Sequence, residues 1–567
     1  MTSEIETLRH SASHMLAAAV KKMFPKAKLG IGPAIEDGYY YDFDITPFTP
    51  EDLKNIEREM NNIIRSKLEF KKKTISKQEA KKLFKDEPYK LELIEELPGK
   101  TVSIYTSGEF IDLCKGPHVD NSKELKAFKL TKISGAYWKG DSKNKQLQRI
   151  YGVVFKEKAE LKKYITLIQE AEKRNHVKLG KELDLFSIHQ EGPGFPFFHD
   201  KGLRIWNILV DFWRQEHKKA GYTEQKTPII LHRALWETSG HWENYKENMY
   251  TLKIDNQDFA VKPMNCPGGM LLYKEKTRSY KDLPLRAGEI GLVHRHELSG
   301  VLNGLFRVRA FHQDDAHIFM TEDQIKEEIL GVIKLSDKFY KVFGLTYHLE
   351  LSTRPEKSIG TDKQWETATK GLKAALESTK KEYNVNEGDG AFYGPKIDFH
   401  LTDAIGRTWQ CGTIQLDMSL PERFDLTYEG KDGKKHRPVM IHRVIYGSLE
   451  RFLGILIEHY AGKFPMWLSP VQVKILTIAD RFNKYAEKIK QQMEESGLRV
   501  ELDERAESIS KKVRDAQIQK INYIIVVGEK EEKDSTVAIR TRDNKIHNDK
   551  KVDKFIEELL EEIEKKK

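Results

Sequence analysis

The sequence predicts an α+β protein of several domains, the largest of them built on an antiparallel sheet with flanking helices. In that largest segment, strand-like stretches such as FAVKPM, YHLELS, KIDFHL and TIQLDM alternate irregularly with helical patterns. They lack the regular β-α-β spacing of a parallel sheet, which favours antiparallel pairing. Near residue 466 the pattern changes to evenly alternating strands and helices, which predicts a compact α/β domain there.

The composition is typical of a globular protein without a membrane segment. The chain has 567 residues, enough for about three to five domains. Its net charge of +9 permits a polyanionic partner without requiring one. No apolar run approaches the ~20 residues of a membrane span, and the N-terminus lacks a signal-peptide core. Three cysteines are too few for a disulfide framework, so we expect a cytoplasmic protein that does not contact membranes.

Residues 1–155 mix both kinds of pattern and predict a first α+β domain. The stretch HSASHMLAAAVKKMF has the apolar spacing of a helix, whereas GYYYDFDI and GAYWKG are typical of strand or loop. Residues 156–183 form a charged amphipathic stretch of helical length. We interpret it as a linker helix between domains, and a solvated surface helix within one domain is the alternative.

Residues 184–465 carry the predicted antiparallel sheet, and residues 466–567 the predicted α/β domain. The latter begins with a strand, VQVKILTI, and a helix, YAEKIKQQMEESG. A second strand and helix follow, LRVELDE and ISKKVRDAQIQK, and then two strands, NYIIVVG and TVAIRTR, before a closing charged helix. The strands are short and bounded by turn residues, as expected for a domain of about a hundred residues.

Three residues of the central segment, Cys266, His317 and His442, are of types that suit a zinc ion. A thiolate and two imidazoles form a three-ligand site that leaves one or two positions open for a substrate. They lie in three motif-like sequence segments, namely VKPMNCPGG, RVRAFHQDDAH and VMIHRVIYGSLERFLG. The second and third motifs also carry arginines, whose planar guanidinium binds phosphate bidentately. The sequence therefore predicts a metal site beside a nucleotide-phosphate site.

The order of these motifs resembles that of the class II aminoacyl-tRNA synthetases, and among them the threonyl branch. The matching segments are MNCPGG, RVRAFHQDDAHIF, AFYGPKIDFH, QCGTIQLD and VMIHR followed by GSLERFLG. Neither class I signature, HIGH or KMSKS, is present. The resemblance implies ATP-dependent ligation of L-threonine to tRNA(Thr) through a threonyl-adenylate, by a homodimer that uses Mg²⁺ with ATP.

The resemblance assigns four residues to ATP. Arg295 would hold the α-phosphate and the substrate carboxylate, while Arg307 and Arg451 would hold the outer phosphates. Phe311 would stack on adenine opposite Arg451. Because both reactants are anionic, positioning and cationic stabilisation of the transition state are the expected sources of catalysis, with Arg295 and Arg451 as the catalytic arginines.

The resemblance also implies one substrate-binding Zn²⁺ per subunit, held by Cys266, His317 and His442. Its open positions would bind the amino group and the side-chain hydroxyl of threonine, and valine lacks that hydroxyl. Asp315 would accept a hydrogen bond from the same hydroxyl. The other residues expected to contact the substrate or line its pocket are Gln313, Tyr393, Gln410, Thr413 and Gln415.

Two further features of the central segment concern transfer and assembly. His241 matches a histidine thought to assist proton removal from the tRNA ribose, a task suited to a group that titrates near neutral pH. A structural histidine beside Trp242 is the alternative. The segment GLRIWNILVDFWRQEHKKAGYTEQKTPI resembles the helix and strand, ending at Pro228, that build the class II dimer interface.

The first domain carries two pairs of nitrogen and sulfur ligands, His10 with His14 and Cys114 with His118. The first pair shares one helix face, and taken alone the four groups predict a zinc site. The same pairs occur in the editing domains of threonyl and alanyl enzymes, commonly without metal, with Asp112 expected in the same cleft. The resemblance thus implies hydrolysis of mischarged seryl-tRNA(Thr), because serine differs from threonine by one methyl group, worth only ~1–3 kcal/mol.

The last domain resembles the anticodon-binding domain of related synthetases. Glu531 and Arg540 fall where threonyl enzymes contact anticodon bases, and a solvated pair of surface charges is the alternative. Ala506 replaces an asparagine common in relatives, which puts part of that contact set in doubt. Because the chain starts at the editing domain, we expect it to lack the N-terminal ubiquitin-like module of many bacterial relatives.

Two other functions compete with this interpretation. The first is a related class II synthetase for another amino acid, mainly proline or serine, and the three zinc candidates argue against proline because proline has no hydroxyl. The second is an inactive paralogue that binds tRNA. The complete set of three arginines and three metal candidates argues against it.

Overall fold

The computed structural model describes residues 3–566. The chain divides into two compact units, Met1–Gln169 and Glu170–Lys567. The predicted domain boundaries at residues 155, 183 and 465 stay predictions. Within residues 3–566, every helix is too short or too polar to cross a membrane.

From residue 3 onward, the first unit contains two antiparallel sheets and four α-helices, and a fifth α-helix crosses its boundary at residue 169. The helices are α1 Glu4–Met23, α2 Pro50–Arg65, α3 Lys77–Leu83, α4 Pro88–Glu96 and α5 Lys158–Arg174. The strands are β1 Lys28–Leu29, β2 Ala34–Ile35, β3 Gly38–Asp44, β4 Lys71–Ser76, β5 Thr101–Ser107, β6 Phe110–Leu113, β7 Phe128–Tyr137 and β8 Gln146–Val154. The larger sheet has the order β1-β3-β8-β7 with β2 paired to β3, and the smaller has the order β4-β5-β6.

Helix α1 forms the centre of the first unit. It begins with a capping box, in which the Ser3 hydroxyl accepts from the Glu6 N–H and the Glu6 carboxylate accepts from the Ser3 N–H. Its apolar side chains pack with α2, β3 and β8 in one buried cluster. The predicted helix in HSASHMLAAAVKKMF is confirmed, and GYYYDFDI, which was expected to be strand or loop, forms a strand.

The stretch expected to be one linker helix consists of two helices, α5 and α6 His176–Glu182. Asn175 separates them. Its side-chain oxygen accepts from the backbone N–H groups of Val177 and Lys178, which caps the start of α6. A side chain that competes for backbone donors in this way interrupts a helix that apolar spacing alone would continue.

The second unit begins with a large α+β region. Its remaining helices are α7 Asp200–Lys219, α8 Arg233–Ser239, α9 His241–Asn244, α10 Cys266–Lys274, α11 Ile325–Val342, α12 Asp362–Thr379, α13 Leu420–Arg423 and α14 Leu449–His459. Its strands are β9 Phe186–Ser187, β10 Phe197–Phe198, β11 Thr223–Glu224, β12 Ile230–His232, β13 Thr251–Ile254, β14 Gln257–Val261, β15 Leu285–His294, β16 Ala310–Met320, β17 Thr346–Ser352, β18 Tyr383–Asn386, β19 Lys396–Thr402, β20 Thr408–Asp417, β21 Tyr428–Glu429, β22 Lys435–His436 and β23 Val439–Val444.

An eight-stranded sheet organises this region, in the order β11-β15-β16-β23-β20-β19-β17-β18. The six inner strands pair antiparallel, whereas the edge strands β11 and β18 pair parallel to their neighbours. Helices α7, α11 and α14 contribute Phe212, Phe339 and Phe452 to the buried core against the sheet. The predicted antiparallel sheet with flanking helices is therefore confirmed.

The C-terminal part of the second unit is a five-stranded sheet with helices on both faces. Its elements are β24 Val473–Thr477, α15 Asn483–Glu495, β25 Val500–Asp503, α16 Ile509–Ile518, β26 Tyr523–Val527, α17 Glu529–Asp534, β27 Thr536–Thr541, β28 Ile546–Lys551 and α18 Val552–Glu564. The order is β25-β24-β26-β27-β28, parallel in the first three strands and antiparallel after β26. Ile475 and Leu476 alternate between two buried clusters, one with α15 and α18 and the other with α16.

Candidate active site

Two adjacent strands and a helix N-terminus bring together the three predicted zinc ligands. His317 on β16 lies directly opposite His442 on β23, and their ring centroids are 5.1 Å apart. Cys266 is the first residue of α10. One ligand atom from each residue lies within 4.8 Å of the other two, and all three residues are buried.

The surroundings of this cluster fit a metal ion. Both ring nitrogens of His317 are buried without a hydrogen-bond partner, which is costly unless they bind something else. His442 Nε2 lies 2.9 Å from a carboxylate oxygen of Asp417, the kind of contact that orients a metal-binding imidazole. Burial lowers the pKa of His317 to about 4, so the imidazole is neutral and able to ligate at pH 7. Burial, reinforced by Asp315 and Asp417, raises the pKa of Cys266 well above its ordinary value, so ionising the thiol requires a cation.

A cavity of about 340 Å³ opens beside the cluster. Cys266, His442 and Arg295 form part of its wall. The Tyr393 hydroxyl donates to Gln415 Oε1 at 2.5 Å, and Asn265 Nδ2 donates to Asp315 Oδ2 at 3.2 Å. Five of the six residues predicted to contact the substrate line this cavity: Gln313, Asp315, Tyr393, Thr413 and Gln415.

A second cavity of about 280 Å³ adjoins the first, and the two share Arg295, Gln313, Thr413 and Val444 as lining residues. The sixth predicted substrate residue, Gln410, lines this second cavity. All four residues predicted to bind ATP also line it: Arg295, Arg307, Phe311 and Arg451.

The arginines of the second cavity are held by defined partners. The Arg295 guanidinium carbon lies 5.1 Å from the ring centroid of Phe311. Arg451 donates from Nε to the Phe306 carbonyl at 3.0 Å and from Nη1 to the Gln410 carbonyl at 3.1 Å. Arg307, which is half exposed, pairs with Glu297 at 3.1 Å. The cavity thus presents cationic groups and an aromatic ring, which suits a nucleotide polyphosphate.

Asp398, which was not predicted from the sequence, holds the wall of both cavities in place. Its Oδ1 accepts from Gln410 Nε2 and from Thr413 Oγ1, each at 2.8 Å, and its Oδ2 pairs with Lys396 Nζ at 3.0 Å. The side chain is almost fully buried. A usable signal was present, since the motif GPKIDFH places a carboxylate between two apolar residues, an isoleucine and a phenylalanine.

His241 is fully buried, and it is not among the residues that line either cavity. Its Nε2 lies 2.9 Å from Met264 Sδ and its Nδ1 lies 2.8 Å from Ser239 Oγ. Met264 and Phe392, which contact the imidazole, do line the first cavity. Burial lowers the pKa of His241 to about 3, whereas the role predicted from the sequence requires a pKa near neutrality. The difference arises because a sequence pattern does not report how deeply a side chain is desolvated.

In the first unit, α1 and the loop after β6 bring the predicted editing residues together. Cys114 Sγ lies 3.1 Å from His10 Nε2 and 3.2 Å from His118 Nε2. The His14 ring packs edge-on against His118 with centroids 4.9 Å apart, and its Nε2 is buried without a hydrogen-bond partner. Ser11 Oγ lies 3.1 Å from His118 Nδ1, so α1 contributes three polar side chains here.

Burial dominates the ionisation of this cluster. It lowers the pKa of His14 to about 3 and of His118 to about 2, and it raises the pKa of Cys114 to about 11. The cluster is therefore neutral at pH 7. His10, Cys114 and His118 are also close enough together to hold a metal ion.

Asp112 belongs to a buried polar network beside the cluster. Its Oδ1 pairs with Lys90 Nζ at 2.6 Å, its Oδ2 accepts from the Tyr41 hydroxyl at 2.7 Å, and Lys90 also donates to Tyr41 at 2.9 Å. Neither Lys90 nor Tyr41 was predicted from the sequence. A lone lysine in α4 and a tyrosine in β3 carry no motif that would identify them.

The two residues predicted to contact the anticodon lie in the C-terminal sheet region. Glu531 is in α17, where its carboxylate accepts from the Gly528 N–H at 3.0 Å. Arg540 is on β27, opposite Ile524 and Ile546. Both side chains are partly exposed.

Three family models match the chain. Residues 250–460 match the tRNA synthetase class II core domain (G, H, P, S and T). Residues 472–562 match an anticodon-binding domain. Residues 102–151 match the threonyl and alanyl tRNA synthetase second additional domain. These matches confirm the class II core, the anticodon-binding domain and the editing-type domain expected from the sequence.

Full-length relatives and solved structures agree. A threonine–tRNA ligase from Desulfatibacillum aliphaticivorans is 62% identical over 560 residues, covering 99% of this chain and 88% of the relative. One from Clostridium tetani is 62% identical and covers 95% and 85%. The crystal structure of the RNA binding domain of threonyl-tRNA synthetase from Cryptosporidium parvum is 43% identical with a TM-score of 0.64, covering 68% of this chain and 98% of that one. The chain therefore belongs to the threonine–tRNA ligase family of class II aminoacyl-tRNA synthetases.

Proposed function

We propose that this chain ligates L-threonine to tRNA(Thr) with ATP and hydrolyses seryl-tRNA(Thr) in its first unit. The observation that carries the proposal is the pair of adjoining cavities with Arg295 in their common wall. One cavity ends at the cluster of Cys266, His317 and His442, and the other presents three arginines and Phe311. An amino acid and a nucleotide bound in them would meet at Arg295.

Arg295 then serves the reaction between the two substrates. The threonine carboxylate attacks the α-phosphorus of ATP, and pyrophosphate leaves. Arg295 offsets the charge of both anions where they meet, and Arg307 and Arg451 hold the outer phosphates, which Mg²⁺ accompanies. Phe311 supplies a flat apolar surface for adenine.

Cys266, His317 and His442 would hold a Zn²⁺ ion, one per subunit. When bound, the ion supplies Lewis-acid positions for the amino group and the hydroxyl of threonine. Asp315, fixed by Asn265, accepts the hydrogen bond of that hydroxyl. Valine would leave this buried carboxylate with its Asn265 contact but without the hydrogen bond from a substrate hydroxyl, which is the physical basis for rejecting it.

We propose that His241 acts in the transfer step only after the side chain of Met264 moves aside. In the present arrangement its Nε2 faces the Met264 sulfur, and burial keeps its pKa at about 3. Access for the terminal ribose of tRNA would also admit water. Solvation would then return the pKa of the imidazole toward the range useful to a base.

The first unit is proposed to remove misplaced serine. His10, His14 and His118 are available as neutral bases to orient a hydrolytic water, and Cys114 lies between two of them. Glu531 and Arg540 are proposed contacts for the anticodon. Helix α7 and strand β11 are proposed to contribute to a homodimer interface. Location in the cytoplasm stays a prediction.

The metal proposal is tested by Cys266→Ser, with Cys411→Ser as the matched control because Cys411 is equally a buried free thiol. Bound zinc would be measured by atomic emission, and threonine activation by ATP–pyrophosphate exchange. We expect Cys266→Ser to lose both zinc and exchange, while Cys411→Ser keeps its zinc. Retained threonine activation in Cys266→Ser would overturn the assignment.

The editing proposal is tested by His14→Ala. Threonine activation should be unchanged, because that chemistry is assigned to the second unit, while seryl-tRNA(Thr) should accumulate. Deacylation of preformed seryl-tRNA(Thr) is the direct assay. Normal deacylation by this variant would contradict the assignment.

A further inference from the structure

A third group of metal-binding side chains lies outside both sites described above. His348 and Glu350 on β17 and His400 on β19 place one ligand atom each within 4.8 Å of the other two. None of the three residues lines the two cavities of the catalytic region. The proposed function does not use them.

The antiparallel register builds this cluster. His348 and His400 are directly opposite each other in the β17–β19 pair, and their rings stack with centroids 4.9 Å apart and an interplanar angle of 12°. Glu350 follows His348 by two residues, so both side chains project from the same face of the sheet. Two stacked imidazoles and one carboxylate are thus held side by side on one strand pair.

His348 and Glu350 lie about as far apart as two ligands of one metal ion. His348 Nε2 lies 3.5 Å from Glu350 Oε1, and His400 Nε2 lies 3.2 Å from Glu350 Oε2. Ligand atoms bonded tetrahedrally at about 2.0–2.2 Å stand about 3.3–3.6 Å apart. The 3.5 Å separation falls in this range and is longer than an ordinary N–H···O bond, which spans about 2.7–3.2 Å, whereas the 3.2 Å separation lies at the upper end of that hydrogen-bond range.

The ligand types select the class of ion. Imidazole nitrogens with one carboxylate suit zinc, cobalt and nickel, whereas magnesium and calcium take oxygen ligands. The side chains are 41% exposed for His348 and 21% exposed for both Glu350 and His400, so an ion can enter from solvent and retain water.

We propose that His348, Glu350 and His400 form a second site for a divalent transition-metal ion, separate from the Cys266 cluster. Asp398 lies on β19 two residues before His400, on the same face, and it holds Gln410 and Thr413. An ion at this site would clamp β17 to β19 next to the strand segment that supports the cavity wall. The inference does not depend on the proposed enzymatic function.

The test measures Co²⁺ bound by the full-length chain after chelator treatment, using equilibrium dialysis and the visible spectrum of bound cobalt. The Cys266→Ser background removes the competing cluster, and difference measurements between variants cancel the contribution of the first unit. In that background we expect His400→Gln and His348→Gln each to weaken one equivalent of Co²⁺ by at least ten-fold. Loss of even an outer partner of a metal ligand costs about 10- to 100-fold.

The matched control is His436→Gln, an exposed histidine that pairs with Asp432 at 2.9 Å. It should bind the same number of Co²⁺ ions, with the same affinity, as its Cys266→Ser parent. If a histidine variant fails to fold, Glu350→Gln keeps both imidazoles and should show the same loss. Equal binding by the parent and the cluster variants would overturn the proposal and leave the three residues as an ordinary ion-pair network.

Discussion

At the scale of single residues, side chains that line the two cavities are held in position by buried carboxylates behind the cavity walls. Asp398 receives hydrogen bonds from Gln410 and Thr413, and Asp417 contacts His442. Each of these aspartates is almost completely buried. Their cost in desolvation is offset only if their partners stay in place, so they fix side-chain positions that flexible amides would otherwise leave variable.

We therefore expect Asp398→Asn to lower kcat/KM for threonine activation by about 10- to 100-fold, equivalent to about 1.4–2.8 kcal/mol. The amide cannot accept both hydrogen bonds and the Lys396 contact as the carboxylate does. The matched control is Asp389→Asn, since Asp389 also contacts Lys396 but is 60% exposed, against 2% for Asp398. Equal effects of the two substitutions in pyrophosphate exchange would contradict this positioning role.

Zinc affinity should rise with pH between about pH 7 and pH 8, by about ten-fold per unit. Burial holds the pKa of the Cys266 thiol well above its ordinary value, so binding must expel one thiol proton throughout this range. His317, whose pKa is lowered to about 4, is already neutral and releases none. Competition with a chromophoric chelator at several pH values measures the slope, and a flat profile would contradict the assignment of Cys266 as a ligand.

Residue types and motif order were sufficient to predict the Cys266 cluster and the lining of both cavities. They were insufficient for Asp398, Lys90 and Tyr41, because a hydrogen-bond partner depends on how elements distant in sequence pack together. They also overestimated the pKa of His241, because desolvation is a property of the packed protein. The residues that were not predicted support predicted site residues through hydrogen bonds or an ion pair, whereas the residues predicted to bind threonine and ATP line the two cavities, and their binding roles stay predictions.

At the scale of elements, helix α1 carries several of the polar side chains that form the cluster of the first unit. The helix is capped by Ser3 and Glu6 and buries an apolar face, and the polar side chains of His10, Ser11 and His14 lie beside Cys114 and His118. Burying histidines next to one another is unfavourable once they are charged. The stability of this helix should therefore depend on pH.

Burial holds the pKa of His14 at about 3, below the value of about 6.5 in an unfolded chain. The unfolded state thus binds the proton first. The contribution of His14 to the free energy of unfolding is fully present above about pH 6.5 and is lost as the pH drops toward 3. The slope is up to about 1.4 kcal/mol per pH unit for this residue. Hydrogen exchange of α1 amides, corrected for intrinsic rates, measures the slope. His14→Gln should reduce this slope by up to about 1.4 kcal/mol per pH unit, the contribution of one proton. An unchanged slope would exclude His14 as its source.

Most strands and helices were predictable because their apolar spacing is regular. The exception in residues 156–183 shows the limit of that signal. Apolar spacing continues through Asn175, but its side chain caps α6 and ends α5. Polar capping by one residue overrode the periodicity, and only the structure distinguishes an asparagine that caps from one that lies on the helix surface.

At the scale of the whole molecule, the order of functions along the chain was predictable from motifs, and the family matches agree with it. The sheet order β11-β15-β16-β23-β20-β19-β17-β18 was not, because it joins strands far apart in sequence. That order is what brings His317 next to His442 and aligns Gln415 with the same histidine. The site is thus a consequence of topology as much as of motif.

The central claim is that a metal-dependent pocket selects threonine for reaction with ATP. The most direct test is amino-acid-dependent ATP–pyrophosphate exchange with threonine, serine and valine, with and without a zinc chelator. We expect strong exchange with threonine, weak exchange with serine, none with valine, and loss of all exchange on chelation that added zinc restores. Exchange with valine at the rate of threonine, or exchange that resists the chelator, would contradict the claim.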